Sequence, residues 1–102
     1  MNTPAFDHNL YAGCAAQIIT HTRELAAKGF TPATAGNFSI RMGPEHAAIT
    51  ISGKDKGRLT EADIMVVDMA NEPVATHHRP SAEAALHTHL YRKCPDVGAV
   101  LH

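Results

Sequence analysis

No stripe of lysine and arginine stands out in this sequence. Nine basic residues are set against ten acidic ones, for a net charge of -1 with the histidines neutral. That balance argues against a nucleic-acid partner, whose phosphates need a concentrated positive surface. No stretch is apolar for the roughly 20 residues that a bilayer-crossing helix requires, so no membrane partner is expected. The opening MNTPAFDHNL has neither the charged start nor the apolar block of a signal peptide. Cysteine is scarce: Cys14 and Cys94 are far apart and form no Cys-x-x-Cys pair. Two buried thiols in a cytoplasmic protein are the expectation. There is no internal repeat and no low-complexity tract.

What is present is the composition of a globular chain, 44% apolar and 19% charged over 102 residues. That length suits one domain, burying roughly two-thirds of the surface exposed by the unfolded chain. Histidine is over-represented, with eight: His8, His21, His46, His77, His78, His87, His89 and His102. Such a count raises the question of a metal, and spacing must select among them.

The pattern predicts a first long helix within TPAFDHNLYAGCAAQIITHTRELAAKGF, residues 3–30. Thr3-Pro4 forms its cap and first turn, Leu10, Cys14, Ile18 and Leu25 share one face, and Gly29 stops it. Strands follow over about 37–42 and 47–52, joined by GPEH as a hairpin. Thr60-x-x-Asp63 can cap one helical turn. IMVVDM is a third strand, ANEP a turn, and VATH a fourth strand. A second helix follows Pro80, with Ser81 as cap, Glu83 near its positive end and Pro95 as its stop. Ala82, Leu86 and Leu90 share its apolar face, with Ala85 and His89 beside it. VGAVLH, ending at His102, is a last strand. Hairpins outnumber crossovers, so the expected fold is α/β, a mainly antiparallel central sheet flanked by helices. A chain ending inside a strand, without a frayed polar tail, reads as truncated.

His87-Thr88-His89 invites a metal reading, but the pattern around it is helical, and residues two apart on a helix do not face each other. His89 is expected beside the buried face and His87 on the wetter side. His77 and His78 are adjacent and would point to opposite sides of a strand. Gly36-Asn37 and Ser52-Gly53 lie in small-residue turns at strand ends, where backbone N–H groups can cradle an anion. Ser81 opens a helix, whose N-terminus favours phosphate. Glu83 beside it could equally be a first-turn carboxylate stabilising the helix.

Taken together, TAGNFSIR, ITISGKDKGRLTEADIMVVD, RPSAEAALH and LYRKCPDVGAVLH resemble, in order, the N-terminal half of the class II aldolase/adducin family. Within it the resemblance is strongest to the dehydratases of methionine salvage, which remove water from a ketose phosphate. It covers nearly all of residues 1–102 and about half of a typical member. It implies zinc as cofactor, with His102 matching the first histidine of a His-x-His strand and the remaining ligands beyond residue 102. It implies that Gly36, Asn37, Ser52, Gly53 and Ser81, with Ala82, hold the substrate phosphate. Glu83 matches the acid/base carboxylate of the family's aldolases, whereas in the dehydratases a later glutamate takes that role, so Glu83 could also shape the zinc site or move a second proton. A sugar-phosphate aldolase or epimerase and a non-catalytic adducin-like binding module are the alternatives. A homo-oligomer, commonly a tetramer, or association with the missing C-terminal half is also implied.

Overall fold

A computed structural model describes residues 6–31, 36–76 and 78–101. Helix α1 spans His8–Ala27 and helix α2 Ala84–Lys93. Strands β1 (Phe38–Met42), β2 (His46–Thr50), β3 (Ile64–Asp68), β4 (Pro73–Val74) and β5 (Ala99–Leu101) form one sheet in the order β4-β3-β2-β1-β5. Every neighbouring pair is antiparallel. The predicted fold class, an antiparallel sheet flanked by helices, is the one observed.

The period-two alternation of a strand explains the layering. Phe38 and Met42 of β1, Ala48 of β2, and Ile64 and Val66 of β3 pack with Cys14, Ala15 and Ile18 of α1. Ala47, Ile49, Met65 and Val67 point to the opposite face and pack with Ala84 and Tyr91 of α2. Strands β2 and β3 are thus largely apolar on both faces, because each face is covered by a helix.

Helix α1 starts later than the sequence suggests. Thr3 and Pro4 lie outside the described residues, and the cap is Asp7, whose carboxylate accepts from the Asn9 and Leu10 amides at 2.9 and 3.1 Å. The stop at Gly29 is as predicted: its φ of +79° allows Phe30 N to reach Leu25 O at 3.0 Å while Gly29 N reaches Ala26 O at 3.0 Å, a Schellman ending. The buried face is Cys14, Ala15, Ile18 and Thr22, with Leu25 half-buried and Leu10 exposed. The Thr60 turn also forms as predicted, with the Asp63 carboxylate accepting from the Thr60 amide at 2.9 Å. Strand β4 is shorter than VATH and earlier, because Ala75 at φ 54° breaks the extended run. His77 lies outside the described residues. Cys94 is exposed, not buried, because it follows α2 rather than facing the sheet; Cys14 is buried.

The main correction concerns α2. Its buried residues are Ala84, His87, Thr88 and Tyr91, while Leu86 and Leu90 are 52% and 42% exposed. His87 is therefore the buried histidine and His89 the exposed one, the reverse of the expectation. The reason lies in β1, whose odd-numbered residues present polar groups to this helix. Ser39 Oγ sits 2.6 Å from both His87 Nδ1 and the Tyr91 hydroxyl. Arg41 donates to the Tyr91 and Val97 carbonyls at 2.7 and 2.8 Å, with its guanidinium 4.7 Å from the centre of the Tyr91 ring. Hydrogen bonding chose a less apolar face than hydropathy would.

Burial sets an alkaline limit on this fold. Burial raises Tyr91 above the ordinary 10.0, outweighing the lowering by its Ser39 hydrogen bond and Arg41. Burial also raises Tyr11 above 10.0, with the charge of Glu61 adding to it, and Cys14 above 9.0. The folded chain holds these protons more tightly than the unfolded chain, so their stabilisation is complete below the unfolded values and is lost as pH rises past them. Lys56, lowered from 10.5 by burial against the opposing pull of Asp55, has the opposite sign. With three groups against one, the urea midpoint should fall above about pH 9. Tyr91→Phe should make that fall shallower, and an unchanged slope would count against this origin.

Candidate functional site

Residues 36–37, 52–53 and 81–83 are far apart in sequence, yet they meet around one polar cavity of about 270 Å³. Gly36, Asn37, Ser52, Gly53, Ser81 and Glu83 all line it, together with Ile51 and Lys56. Each group arrives at the end of a regular element. Asn37 precedes β1, the Ser52-Gly53 turn follows β2, and Ser81 and Glu83 lie in the turn that enters α2. Ala82 is exposed and does not line the cavity.

Asn37 organises the centre of the site. It is buried, and its Oδ1 accepts from Thr50 Oγ1 at 3.0 Å, while that hydroxyl accepts from the Phe38 amide at 3.2 Å. The amide oxygen being engaged, Nδ2 is turned to Ser81 and donates to its Oγ at 2.9 Å. One buried side chain thus ties the ends of β1 and β2 to the approach to α2. This is also why Ser81 is not the helix cap that its position suggests. Its hydroxyl serves Asn37, and its carbonyl accepts from Ala84 N at 3.1 Å in a turn that precedes the helix. Glu83 occupies the N-cap position without a side-chain capping bond.

Two contributors went unread in the sequence. Thr50 is one residue of a β-branched strand, with nothing local to mark it as the partner of Asn37. Lys56 is 1% exposed and donates from Nζ to the Lys54 carbonyl at 2.9 Å. Its signal, the GKDKG loop, was visible, but sequence could not say which lysine turns inward. His102 lies outside the described residues. Among the described residues, no group of three or more His, Cys, Asp or Glu is placed to hold a metal ion.

The sheet is packed between two helices, and the polar cavity lies where strand ends meet the entry to the second helix. The chain matches the Class II Aldolase and Adducin N-terminal domain over residues 16–102 and belongs to that family. It is similar to methylthioribulose-1-phosphate dehydratase of Stenotrophomonas maltophilia (strain R551-3), 54% identical over 104 residues, covering 100% of this chain and 49% of that protein. It is 60% identical over 85 residues to the enzyme of the same name in Xanthomonas campestris pv. campestris (strain B100), covering 83% of this chain and 39% of that protein. The chain therefore spans less than half the length of these relatives. Among solved structures, it resembles L-fuculose-1-phosphate aldolase from Thermus thermophilus, with a TM-score of 0.74 and 32% identity over 87% of this chain and 44% of that one. No helix among the described residues is long and apolar enough to cross a membrane.

Proposed function

We propose that this chain forms the sugar-phosphate-binding part of a zinc-dependent lyase, and that the reaction is dehydration of 5-methylthioribulose 1-phosphate to a diketo phosphate in methionine salvage, in the cytoplasm. One observation carries the reading: the three separated stretches at 36–37, 52–53 and 81–83 line a single polar cavity. The relatives named methylthioribulose-1-phosphate dehydratase supply the reaction. Asn37, Ser52 and Ser81, with backbone at Gly36 and Gly53, would donate to the phosphate oxygens. Fixing the phosphate places the sugar in register, which helps rate as well as affinity. Glu83, on the wall of the same cavity, is the carboxylate proposed to exchange a proton with the substrate.

Zinc is the cofactor this reading carries, with His102 as one ligand. The described residues do not by themselves make a zinc site. The remaining ligands are placed in the length of the relatives that this chain does not span. Assembly belongs to the same reading. Among the described residues β5 is the outer strand beside β1, and its outer edge, with Leu101 61% exposed, offers backbone groups to a further strand. That strand would come from a second copy or from a C-terminal half.

A sugar-phosphate aldolase or epimerase is the second reading, and Glu83 favours it, because its position matches the acid/base carboxylate of the family's aldolases. The isolated chain should bind zinc weakly and turn over neither substrate, because a catalytic zinc site needs three protein ligands and the described residues bring no such group together. Adding the C-terminal half of a dehydratase relative should restore loss of water from 5-methylthioribulose 1-phosphate, measured by mass spectrometry, and Glu83→Gln should lower the restored rate at least about tenfold. Cleavage of L-fuculose 1-phosphate instead would favour the aldolase. Turnover of neither by the reconstituted pair would leave the non-catalytic binding module.

A further inference from the structure

Few of the described residues that line the cavity carry charge. Among the described residues that line it, Lys56 is the one cation and Glu83 the one carboxylate; Asn37, Ser52 and Ser81 are neutral. A phosphate dianion placed beside Glu83 with only neutral donors would meet an unfavourable field in a site partly removed from water. The cation that could offset it is the least exposed charged group of the loop. Lys54 and Asp55 are exposed, whereas Lys56 is 1% exposed.

The loop is built to turn Lys56 inward. Asp55 Oδ1 accepts from the Gly57 amide at 2.8 Å, and Asp55 O accepts from Arg58 N at 3.0 Å, closing a tight turn around Lys56. A Cβ at Gly57 would lie 3.2 Å from Ala26 Cβ, so the turn packs closely against α1. Lys56 Nζ is further anchored to the Lys54 carbonyl. Burial also disfavours the charged form of Lys56, against the pull of Asp55. A buried ammonium group on the wall of a cavity interacts more strongly with an anionic ligand than a solvated one does.

We propose that Lys56 is a substrate-binding residue, supplying the positive charge that holds the phosphate group and makes the cavity selective for an anionic sugar over a neutral one. The inference rests on the phosphate-site reading above and adds to it the residue that sets charge selectivity.

The test is binding of inorganic phosphate to the full chain, followed by NMR. The Lys56 side-chain Cε resonance of the wild type should move saturably together with the Asn37 side-chain amide. Lys56→Met should weaken phosphate binding by about 10- to 100-fold, the range for a hydrogen bond to a charged group. Lys54→Met should stay within about twofold, because Lys54 is solvated. If Lys56→Met binds like wild type while Asn37→Ala loses phosphate, the inference falls and the phosphate site stands. If the wild type binds no phosphate, the site reading falls and the inference with it. Should Lys56→Met fail to fold, the wild-type titration decides: a Lys56 resonance that stays still while Asn37 moves overturns the proposal.

Discussion

Truncating Tyr91 to alanine should cost about 3–5 kcal/mol of stability, the range for removing a large buried aromatic side chain. Three contributions converge on it. The ring is 1% exposed and packs in the cluster of Ile49, Met65, Val67 and Ala84. Its hydroxyl lies 2.6 Å from Ser39 Oγ, which His87 Nδ1 approaches equally closely. The Arg41 guanidinium lies 4.7 Å from the ring centre. Alanine would leave a void between α2 and the sheet, and would remove the Tyr91 hydroxyl from Ser39 Oγ. Tyr91→Phe keeps the packing and should cost only about 1 kcal/mol. Urea unfolding of both variants at neutral pH separates the packing from the hydrogen bond. A cost below about 1 kcal/mol for Tyr91→Ala would mean that α2 is not anchored through this residue. The effect should also reach the cavity, since α2 carries Glu83 at its start.

Gly36→Ala should damage fold and site together. Gly36 has φ +95°, which an L side chain rarely adopts, and a Cβ there would come within 2.8 Å of Phe38 Cε2. Phe38 is 6% exposed in the core under α1, so its ring cannot swing aside without disturbing Cys14 and Ile18. Backbone strain and overpacking each cost on the order of 1–2 kcal/mol, so a loss of about 2–4 kcal/mol is expected. Because Asn37 follows directly, any backbone relief moves its amide away from Ser81 Oγ. Phosphate binding should therefore fall at least about tenfold even under conditions where the variant remains folded. A folded Gly36→Ala protein with unchanged phosphate binding would remove Gly36 from the site.

Local signals in the sequence were sufficient for much of the fold. The hairpin of β1 and β2, the Gly29 stop and the Thr60-x-x-Asp63 turn depend on residues within a few positions of one another. They were readable because turn chemistry and strand periodicity act at short range. The alternation in IMVVD was hidden, because a strand covered on both faces is apolar throughout. The three small-residue stretches at 36–37, 52–53 and 81–83 could be singled out one by one. Their meeting in one cavity was not a property of any of them.

The sequence by itself determined the element types, most of their order and the stretches that carry chemistry. Tertiary structure decided which face of α2 is buried. Leu86 and Leu90 make the more apolar stripe, yet they are exposed while His87 and Tyr91 are inside. That choice depends on Ser39 and Arg41, which lie about fifty residues earlier and reach α2 only once β1 is in place. It also decided that Lys56 rather than Lys54 faces the cavity, and that Asn37 rather than the helix claims the Ser81 hydroxyl. Hydropathy and local propensity can be read from neighbours along the chain. Hydrogen-bond pairing and the orientation of a buried charge depend on groups that become neighbours only on folding.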